Sequence, residues 1–243
     1  MSNTSKARPK DPRHPAPRSR RGFPVWPVLI AAIVIAGIVA VVATSGGGDD
    51  TEVVIGPDGD PVAQTAPVTI TGDPLPQFES TADDPAIGEK APTLQGSNFS
   101  GDAVTIPADD GNAKAIFFVA HWCPHCQDEI PRLAEWLATH DLPSGVDLEL
   151  VSTRVNAAPD NYPPSEWLER EGVGDIPVIA DDEDSSAYAA YGAGGLPYIV
   201  YLDGNGDVVL RTEGEYGDDP EVYTDLLARL AAGETLDDPR TAG

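Results

Sequence analysis

The chain has 243 residues, of which 40 are acidic and 15 basic, giving a formal net charge of −25 at pH 7. A chain of this length is expected to form one or two domains. Such strong acidity disfavours binding to nucleic acid or to an anionic membrane surface, so no nucleic-acid partner is expected.

The first predicted element is a membrane anchor, because the charge is distributed unevenly. Residues 1–24 hold seven basic residues and one acidic residue, net +6, whereas the rest of the chain carries a net charge of −31. The uncharged run from Val25 to Ala43 has 19 residues, within the range of about 17–25 that a spanning helix needs. Trp26 stands at the interface position, and the arginines mark the cytoplasmic side. We predict a basic cytoplasmic tail at 1–24, a transmembrane signal anchor at 25–44 and an extracytoplasmic remainder, in a single-pass protein of the cell membrane.

A cleaved signal peptide is the alternative for the same segment. The apolar run exceeds the usual h-region of about 7–15 residues, which favours an uncleaved anchor. Val41, Val42 and Ala43 could nevertheless form a small-residue cleavage site. In either case the remainder would face an oxidising compartment, where a cysteine pair must be maintained by partners or act as an oxidant.

The remainder is predicted to be one α/β domain with flexible ends. Residues 45–84 are acidic and rich in Pro and Gly and are predicted to be a linker, with a possible extra strand at 68–71. A compact domain is predicted at 85–232, followed by a flexible tail at 233–243. Alternating strand and helix patterns that end in a hairpin and a helix imply a central mixed β-sheet flanked by helices. The predicted strands are Val104–Ile106, Ala115–Ala120, Val146–Val155, Ile176–Ala180, Tyr198–Leu202 and Val208–Thr212, and the predicted helices are Pro124–His140, Ser165–Glu171, Ser185–Tyr191 and one with Asp219 as its N-cap.

The sequence WCPHC at residues 122–126 contains both cysteines of the chain. It follows a buried-strand pattern and precedes an amphipathic helix, so the cysteines should lie at a helix N-terminus, where free N–H groups and the dipole favour negative charge. Cys123 is therefore predicted to be the acidified nucleophile and Cys126 the resolving thiol. No cofactor is predicted apart from a redox-active Cys123–Cys126 disulfide.

Four alternatives compete with a redox role for the cysteine pair. A structural disulfide across two residues would gain little loop-closure entropy. A copper or zinc module could use Cys123, Cys126 and a histidine, although residues on one turn would struggle to supply four tetrahedral ligands. A thiol peroxidase would need a sulfenic acid at Cys123, for which the CxxC spacing gives no special reason. Inert core cysteines fit badly, because the pair stands at redox spacing after a strand.

Three segments together resemble thioredoxin-fold proteins of the TlpA/ResA-like class. They are IGEKAP at residues 87–92, AHWCPHCQDEIP at residues 120–131 and GLP at residues 195–197. The resemblance covers residues 85–232. It implies a thioredoxin-like fold and a membrane-tethered thiol–disulfide oxidoreductase that acts on exported, cysteine-containing proteins and is reset by a membrane redox partner.

The resemblance also implies roles for single residues. Pro131 matches a proline that kinks the active-site helix, and Pro197 matches a cis-proline that lies beside the cysteines and presents backbone to substrate. Glu129 matches a glutamate near the cysteine pair, where it could relay protons to Cys126; a solvated helix face is the alternative. Trp122 is predicted to pack over the rim of the disulfide.

Two departures from the class bear on the direction of the reaction. The Pro124–His125 dipeptide resembles DsbA, and a histidine there would stabilise the Cys123 thiolate and make the disulfide more oxidising. Phe117 occupies the position at which thioredoxin has a buried aspartate, so a thioredoxin-style proton acceptor is missing. The scaffold resembles reductases whereas the motif favours an oxidase, and we predict an oxidase by a narrow margin.

Overall fold

The computed structural model describes residues 54–55, 61–157 and 160–241. The predicted cytoplasmic tail and the transmembrane segment at 25–44 lie outside these ranges. Within the described ranges, no helix combines the length and the apolar character needed to cross a membrane.

The described residues form ten strands and four α-helices, most of them close to the predicted positions. The strands are β1 (Val54–Ile55), β2 (Pro61–Val62), β3 (Thr69–Thr71), β4 (Thr93–Ser97), β5 (Ala103–Ile106), β6 (Ala113–Val119), β7 (Val146–Ser152), β8 (Val178–Ala180), β9 (Tyr198–Leu202) and β10 (Val208–Glu213), and the helices are α1 (Pro124–Leu137), α2 (Pro164–Arg170), α3 (Ser186–Ala190) and α4 (Val222–Ala231).

The core of the molecule is a five-stranded mixed sheet in the order β10-β9-β6-β7-β8. β6 pairs with β7 in parallel and with β9 antiparallel, and β10 completes the predicted hairpin with β9. All seven residues of β6 are buried, as expected for a strand with neighbours on both edges and layers on both faces. The predicted α/β fold with a central mixed sheet is confirmed.

Alternate residues of β6 enter two hydrophobic clusters on opposite faces of the sheet. Phe117 belongs to the cluster that includes Ile130 of α1 and residues of α2 and α4, on what we call the helix face. Phe118 belongs to the cluster that includes Leu94 of β4, on what we call the N-terminal face. The N-terminal face is covered by α3 and by the three-stranded sheet β3-β4-β5.

The folded part of the chain extends beyond the predicted limits of 85–232. β3 lies within the possible extra strand at 68–71, and Leu75 and Phe78 of the predicted linker are buried in the core of the N-terminal face. At the other end, Leu236 and Asp238 of the predicted tail are also buried. Both segments are mostly polar, and their few apolar residues do not recur at the spacing of a helix or a strand. The sequence pattern therefore does not predict that these residues are buried.

Two further differences concern individual elements. β4 has no counterpart among the predicted strands, although it pairs with β3 and β5. Its residues do not alternate between apolar and polar along the strand, so the sequence gives no period-2 signal. Helix α4 begins at Val222 and has Glu221, not Asp219, at its N-cap position. The Asp219 carboxylate instead accepts a 3.0 Å hydrogen bond from the N–H of Glu221, in a turn that precedes the helix.

Candidate active site

The two cysteines lie where β6 gives way to α1, as predicted. Cys123 occupies the N-cap position in an extended conformation, with Pro124 as the first helical residue. Cys126 follows in the first turn, and both residues are free thiols in the structure. Proline suits this first position because it lacks only an N–H that has no partner within the helix.

The environment of Cys123 favours its thiolate. The residue is 6% exposed, and its pKa is lowered to about 6. The largest cause is a hydrogen bond from the Cys126 thiol, followed by the backbone N–H groups of Cys126 and His125 and the charge of the His125 imidazole, while burial opposes them. The Cys123 Sγ also lies 3.4 Å from the carbonyl oxygen of Leu196, to which the protonated thiol can donate.

Cys126 has the opposite character. It is completely buried, and burial raises its pKa far above that of a free thiol, with the hydrogen bond to Cys123 and the negative charges of Cys123 and Glu129 acting in the same direction. At neutral pH the pair therefore consists of a thiolate at Cys123 and a thiol at Cys126. This is the arrangement that a nucleophile and its resolving partner require.

Glu129 is buried and does not lie on a solvated helix face. Its Oε1 accepts a 2.6 Å hydrogen bond from the Tyr223 hydroxyl, and its Oε2 accepts a 3.0 Å bond from the N–H of Tyr216. Burial raises the pKa of this carboxyl, and the two hydrogen bonds oppose that effect. The structure thus places a carboxylate one helical turn from Cys126, while a proton relay between the two stays a prediction.

The residues before Cys123 hold a neighbouring loop. The half-buried Trp122 donates from Nε1 to the carbonyl oxygen of Arg154 at 2.7 Å. His121 is buried; its Nδ1 lies 3.3 Å from the carbonyl oxygen of Asp160, and its Nε2 accepts from the N–H of Asn156 at 3.5 Å. Burial lowers the pKa of His121. Both ring nitrogens are thus engaged with backbone, and in the described part of the chain no three His, Cys, Asp or Glu side chains are grouped as a metal site.

The loop that faces the cysteines ends in a cis peptide between Leu196 and Pro197, as the resemblance implied. Pro197 is buried, and its carbonyl oxygen accepts a 2.8 Å hydrogen bond from the N–H of Gly214. The loop and the start of α1 meet at the Cys123 Sγ, although 70 residues lie between Cys126 and Pro197 in the chain.

Sequence reasoning missed two carboxylates at this site. Glu213 Oε1 accepts hydrogen bonds from the N–H groups of Gly194 and Gly195 at 2.9 and 2.6 Å. Glu215 Oε2 lies 2.6 Å from Nδ1 of His125, whose side chain is 61% exposed. Both glutamates belong to a strongly acidic segment, so nothing in their local sequence distinguishes them from solvated charges.

These features together define a class of protein. An acidified cysteine at the start of the helix that follows the central strand, opposite a cis-proline loop, is the arrangement of a thioredoxin-fold protein. The model of the AhpC/TSA family matches residues 87–211, which is about half of the chain, and the chain belongs to this family.

One curated relative is similar to the chain in sequence, and two solved structures are similar to it in fold. The thiol-disulfide oxidoreductase ResA of Geobacillus thermodenitrificans is 28% identical over 123 residues, which cover 51% of this chain and 67% of ResA. An uncharacterized conserved protein from Geobacillus kaustophilus has a TM-score of 0.52 at 21% identity, covering 71% of this chain and 90% of that chain. A hypothetical protein from Sinorhizobium meliloti has a TM-score of 0.52 at 17% identity, covering 64% and 89% respectively. The predicted fold and the predicted class, a thioredoxin-like thiol–disulfide oxidoreductase, are confirmed.

Proposed function

We propose that the chain donates disulfides to exported, cysteine-containing proteins through Cys123 and Cys126, as a membrane-anchored extracytoplasmic oxidoreductase. One observation carries the proposal. The pKa of Cys123 is lowered to about 6 while that of Cys126 is raised, so only Cys123 of the pair is a thiolate at neutral pH. The name of ResA, a thiol–disulfide oxidoreductase, supports the same reaction class and leaves its direction open.

In the donating direction, a substrate thiolate attacks the Cys123 sulfur of the Cys123–Cys126 disulfide. The S–S bond breaks, Cys126 leaves with the electron pair and takes a proton, and a mixed disulfide forms between the substrate and Cys123. The second thiolate of the substrate then attacks the substrate sulfur of the mixed disulfide and expels Cys123 as a thiolate. Two electrons have moved from the substrate dithiol to the cysteine pair, which a membrane redox partner must then reoxidise.

The stability of the expelled thiolate supports the donating direction. A low pKa at Cys123 stabilises the reduced pair and therefore makes the disulfide a stronger oxidant. The hydrogen bond from the Cys126 thiol contributes most to that low pKa, and the N–H groups at the start of α1 and the charge of His125 contribute less. Reduction of substrates would run the same steps backwards and would need electrons delivered from the membrane.

The membrane location is proposed from the charge pattern of the sequence. The basic segment at 1–24 and the apolar segment at 25–44 support an anchor with a cytoplasmic N-terminus. The acidic linker and the domain would then lie outside the cytoplasm, where exported substrates expose thiols.

The deciding measurement is the reduction potential of the full chain, obtained by equilibration with glutathione buffers and quantified by thiol alkylation. We expect a value between those of thioredoxin, about −270 mV, and DsbA, about −120 mV, because the Cys123 pKa of about 6 lies between the cysteine pKa values of these proteins, about 7 and about 3.5. His125→Ala should make the disulfide less oxidising by about 30 mV, a tenfold change in the equilibrium constant. Reduced Cys126→Ser should trap a mixed disulfide with an oxidised substrate protein, because Cys123 attacks the substrate disulfide and no second thiol resolves the product, whereas Cys123→Ser should not.

Three results would redirect the proposal. A value near that of thioredoxin would point to a reductase. If the Cys123–Cys126 disulfide does not form and the reduced protein retains copper or zinc in stoichiometric amount, the chain is a metal-binding module. An unchanged potential in His125→Ala would remove the role of the Pro124–His125 dipeptide.

A further inference from the structure

Four consecutive residues at the end of β10, Glu213–Tyr216, contact the active site in succession; we call them the clamp. The Glu213 carboxylate binds the N–H groups of Gly194 and Gly195. Gly214 donates from its N–H to the carbonyl oxygen of Pro197 at 2.8 Å. These two residues hold the cis-proline loop.

The second half of the clamp reaches the active-site helix. Glu215 lies 2.6 Å from Nδ1 of His125, and the N–H of Tyr216 donates to Glu129 at 3.0 Å. One short segment therefore bonds both to the loop that approaches Cys123 and to the helix that begins there. The two elements are thus bridged by residues that belong to neither.

The fit between Glu213 and the loop is close. A Cβ atom placed on Gly194 would come within 2.7 Å of the Glu213 carboxylate, and one placed on Gly195 within 2.9 Å. A side chain at either position would push the carboxylate away from the backbone. The Gly–Gly pair thus permits a hydrogen-bonded approach, and Leu196, whose carbonyl oxygen contacts the Cys123 Sγ, comes directly after it.

The clamp is itself held from the C-terminal end of the chain. The guanidinium of Arg240 donates to the carbonyl oxygen of Glu213 and lies 5.6 Å from the centre of the Tyr216 ring. Arg240 is fixed in turn by Asp238, at 2.7 Å. The clamp is therefore anchored independently of the cysteine pair.

We propose that Glu213 and Glu215 are positioning residues for disulfide exchange at Cys123, an inference that rests on the proposed function. Glu213 fixes the backbone beside Cys123, at which a substrate chain docks. Glu215 keeps the exposed imidazole of His125 where its charge reaches the Cys123 thiolate. The two carboxylates act through other groups and touch neither sulfur.

The first arm of the test concerns Glu213. The assay is the oxidation of reduced ribonuclease A by the full chain, with oxidised glutathione as terminal oxidant and with KM and kcat measured separately. Glu213→Ala should raise KM about five- to tenfold with kcat within about twofold, since a displaced loop weakens docking. Glu213→Gln should have a KM nearer to that of the wild type, because the amide oxygen of Gln can still accept hydrogen bonds from both N–H groups.

The second arm concerns Glu215 and is read as an equilibrium constant with glutathione. Glu215→Ala should make the disulfide about threefold less oxidising, because an untethered imidazole spends less time near the thiolate. In the His125→Ala background the same substitution should have no further effect, which is the coupling expected of residues that act as a unit. Glu215→Gln should retain most of the wild-type value.

Asp218→Asn serves as the control for both arms. It removes one charge from the same loop, but the Asp218 side chain is 98% exposed and pairs only with Arg132 in the described part of the chain. If Asp218→Asn matches Glu215→Ala, or if Glu215→Ala acts equally without His125, the effect is one of net charge and the positioning role is wrong. If the wild type fails to oxidise ribonuclease A at all, it is the proposed function that fails.

Discussion

The two faces of the central sheet bury charged groups with different consequences. On the helix face, Glu129 is completely buried and both carboxylate oxygens accept hydrogen bonds, beside a cysteine whose pKa is raised. On the N-terminal face, Asp84 and Arg211 form an ion pair whose side chains are 1% and 0% exposed. The first arrangement places a negative charge that helps to raise the pKa of Cys126, whereas the second attaches an upstream segment of the chain to the sheet.

A buried carboxylate on β7, Glu149, differs from both arrangements in its hydrogen bonding. Glu149 of β7 alternates with Leu148 and Leu150, which enter the cluster on the helix face, so it points towards the N-terminal face. It is 8% exposed, and its Oε2 has no hydrogen-bond partner among the described residues. Both faces thus bury charged side chains, but Glu149 lacks a hydrogen-bond partner for one carboxylate oxygen among the described residues.

The largest expected effect comes from breaking the ion pair. Asp84→Asn would leave the Arg211 guanidinium buried without its countercharge, among neutral partners that include the carbonyl oxygens of Pro76 and Tyr191. We expect a loss of about 3–5 kcal/mol in the free energy of unfolding, measured by urea unfolding followed by tryptophan fluorescence.

The control for this prediction is an exposed pair. The Lys90 side chain, which is 56% exposed, pairs with Asp207, and Lys90→Gln should cost about 0–1 kcal/mol. Equal losses in the two variants would mean that the Asp84–Arg211 pair does not attach the upstream segment. The thiol reactivity of Cys123 should be the same in both variants.

A smaller, pH-dependent effect is expected at Glu149. Burial, with the charges of Asp147 and Asp110, raises its pKa to about 7, while Lys114 opposes the shift. The folded protein then binds more protons than the unfolded chain between about pH 4.5 and 7, so stability falls as the pH rises through this range. Glu149→Gln should remove about 1–3 kcal/mol of that decline.

The measurement is the free energy of unfolding between pH 4 and 8 for wild type, Glu149→Gln and Glu79→Gln. Glu79 is exposed on the surface of the same face, so its amide variant should keep the wild-type slope. If the free energy of unfolding of Glu149→Gln depends on pH as that of the wild type does, the pKa of Glu149 is not raised by burial and the prediction is wrong.

The contrast between the faces also explains which parts of the molecule could be predicted from the sequence. The placement of Cys123 and Cys126 at the start of a helix is predicted correctly, because it depends on a local strand-to-helix transition. The cis peptide at Pro197 was available only through the resemblance. The contacts of Glu213 and Glu215 were not predictable, because each joins segments distant in the chain and both residues sit in an acidic run.

The upstream segment that packs on the N-terminal face was missed for a related physical reason. Leu75 and Phe78 are single apolar residues in a Pro-rich, acidic stretch, and their burial depends on a sheet formed later in the chain. Periodicity detects elements that bury a repeating face. It does not detect an irregular segment held by two side chains and one ion pair.

The smallest expected effect is on the titration of Cys123. It also gives the clearest test of whether the two faces of the sheet have separate roles. Alkylation of the reduced protein by iodoacetamide should reach half of its maximal rate at about pH 6, because only the thiolate reacts and the Cys123 pKa is lowered to about 6. Cys126, with its raised pKa, should stay unmodified, as peptide mass analysis would show.

The same titration tests whether the two faces act independently. The depressed pKa stabilises the folded dithiol form above the pKa of a free thiol, and this stabilisation is lost as the pH falls through about 6. Asp84→Asn and Glu149→Gln should leave the midpoint of alkylation unchanged, since neither carboxylate is among the groups that shift the pKa of Cys123. A midpoint that moves with either substitution would show that charge on the N-terminal face reaches the cysteines through the sheet, and the division of roles would not hold. An unmoved midpoint, together with the stability losses, would assign attachment of the chain to one face and thiolate chemistry to the other.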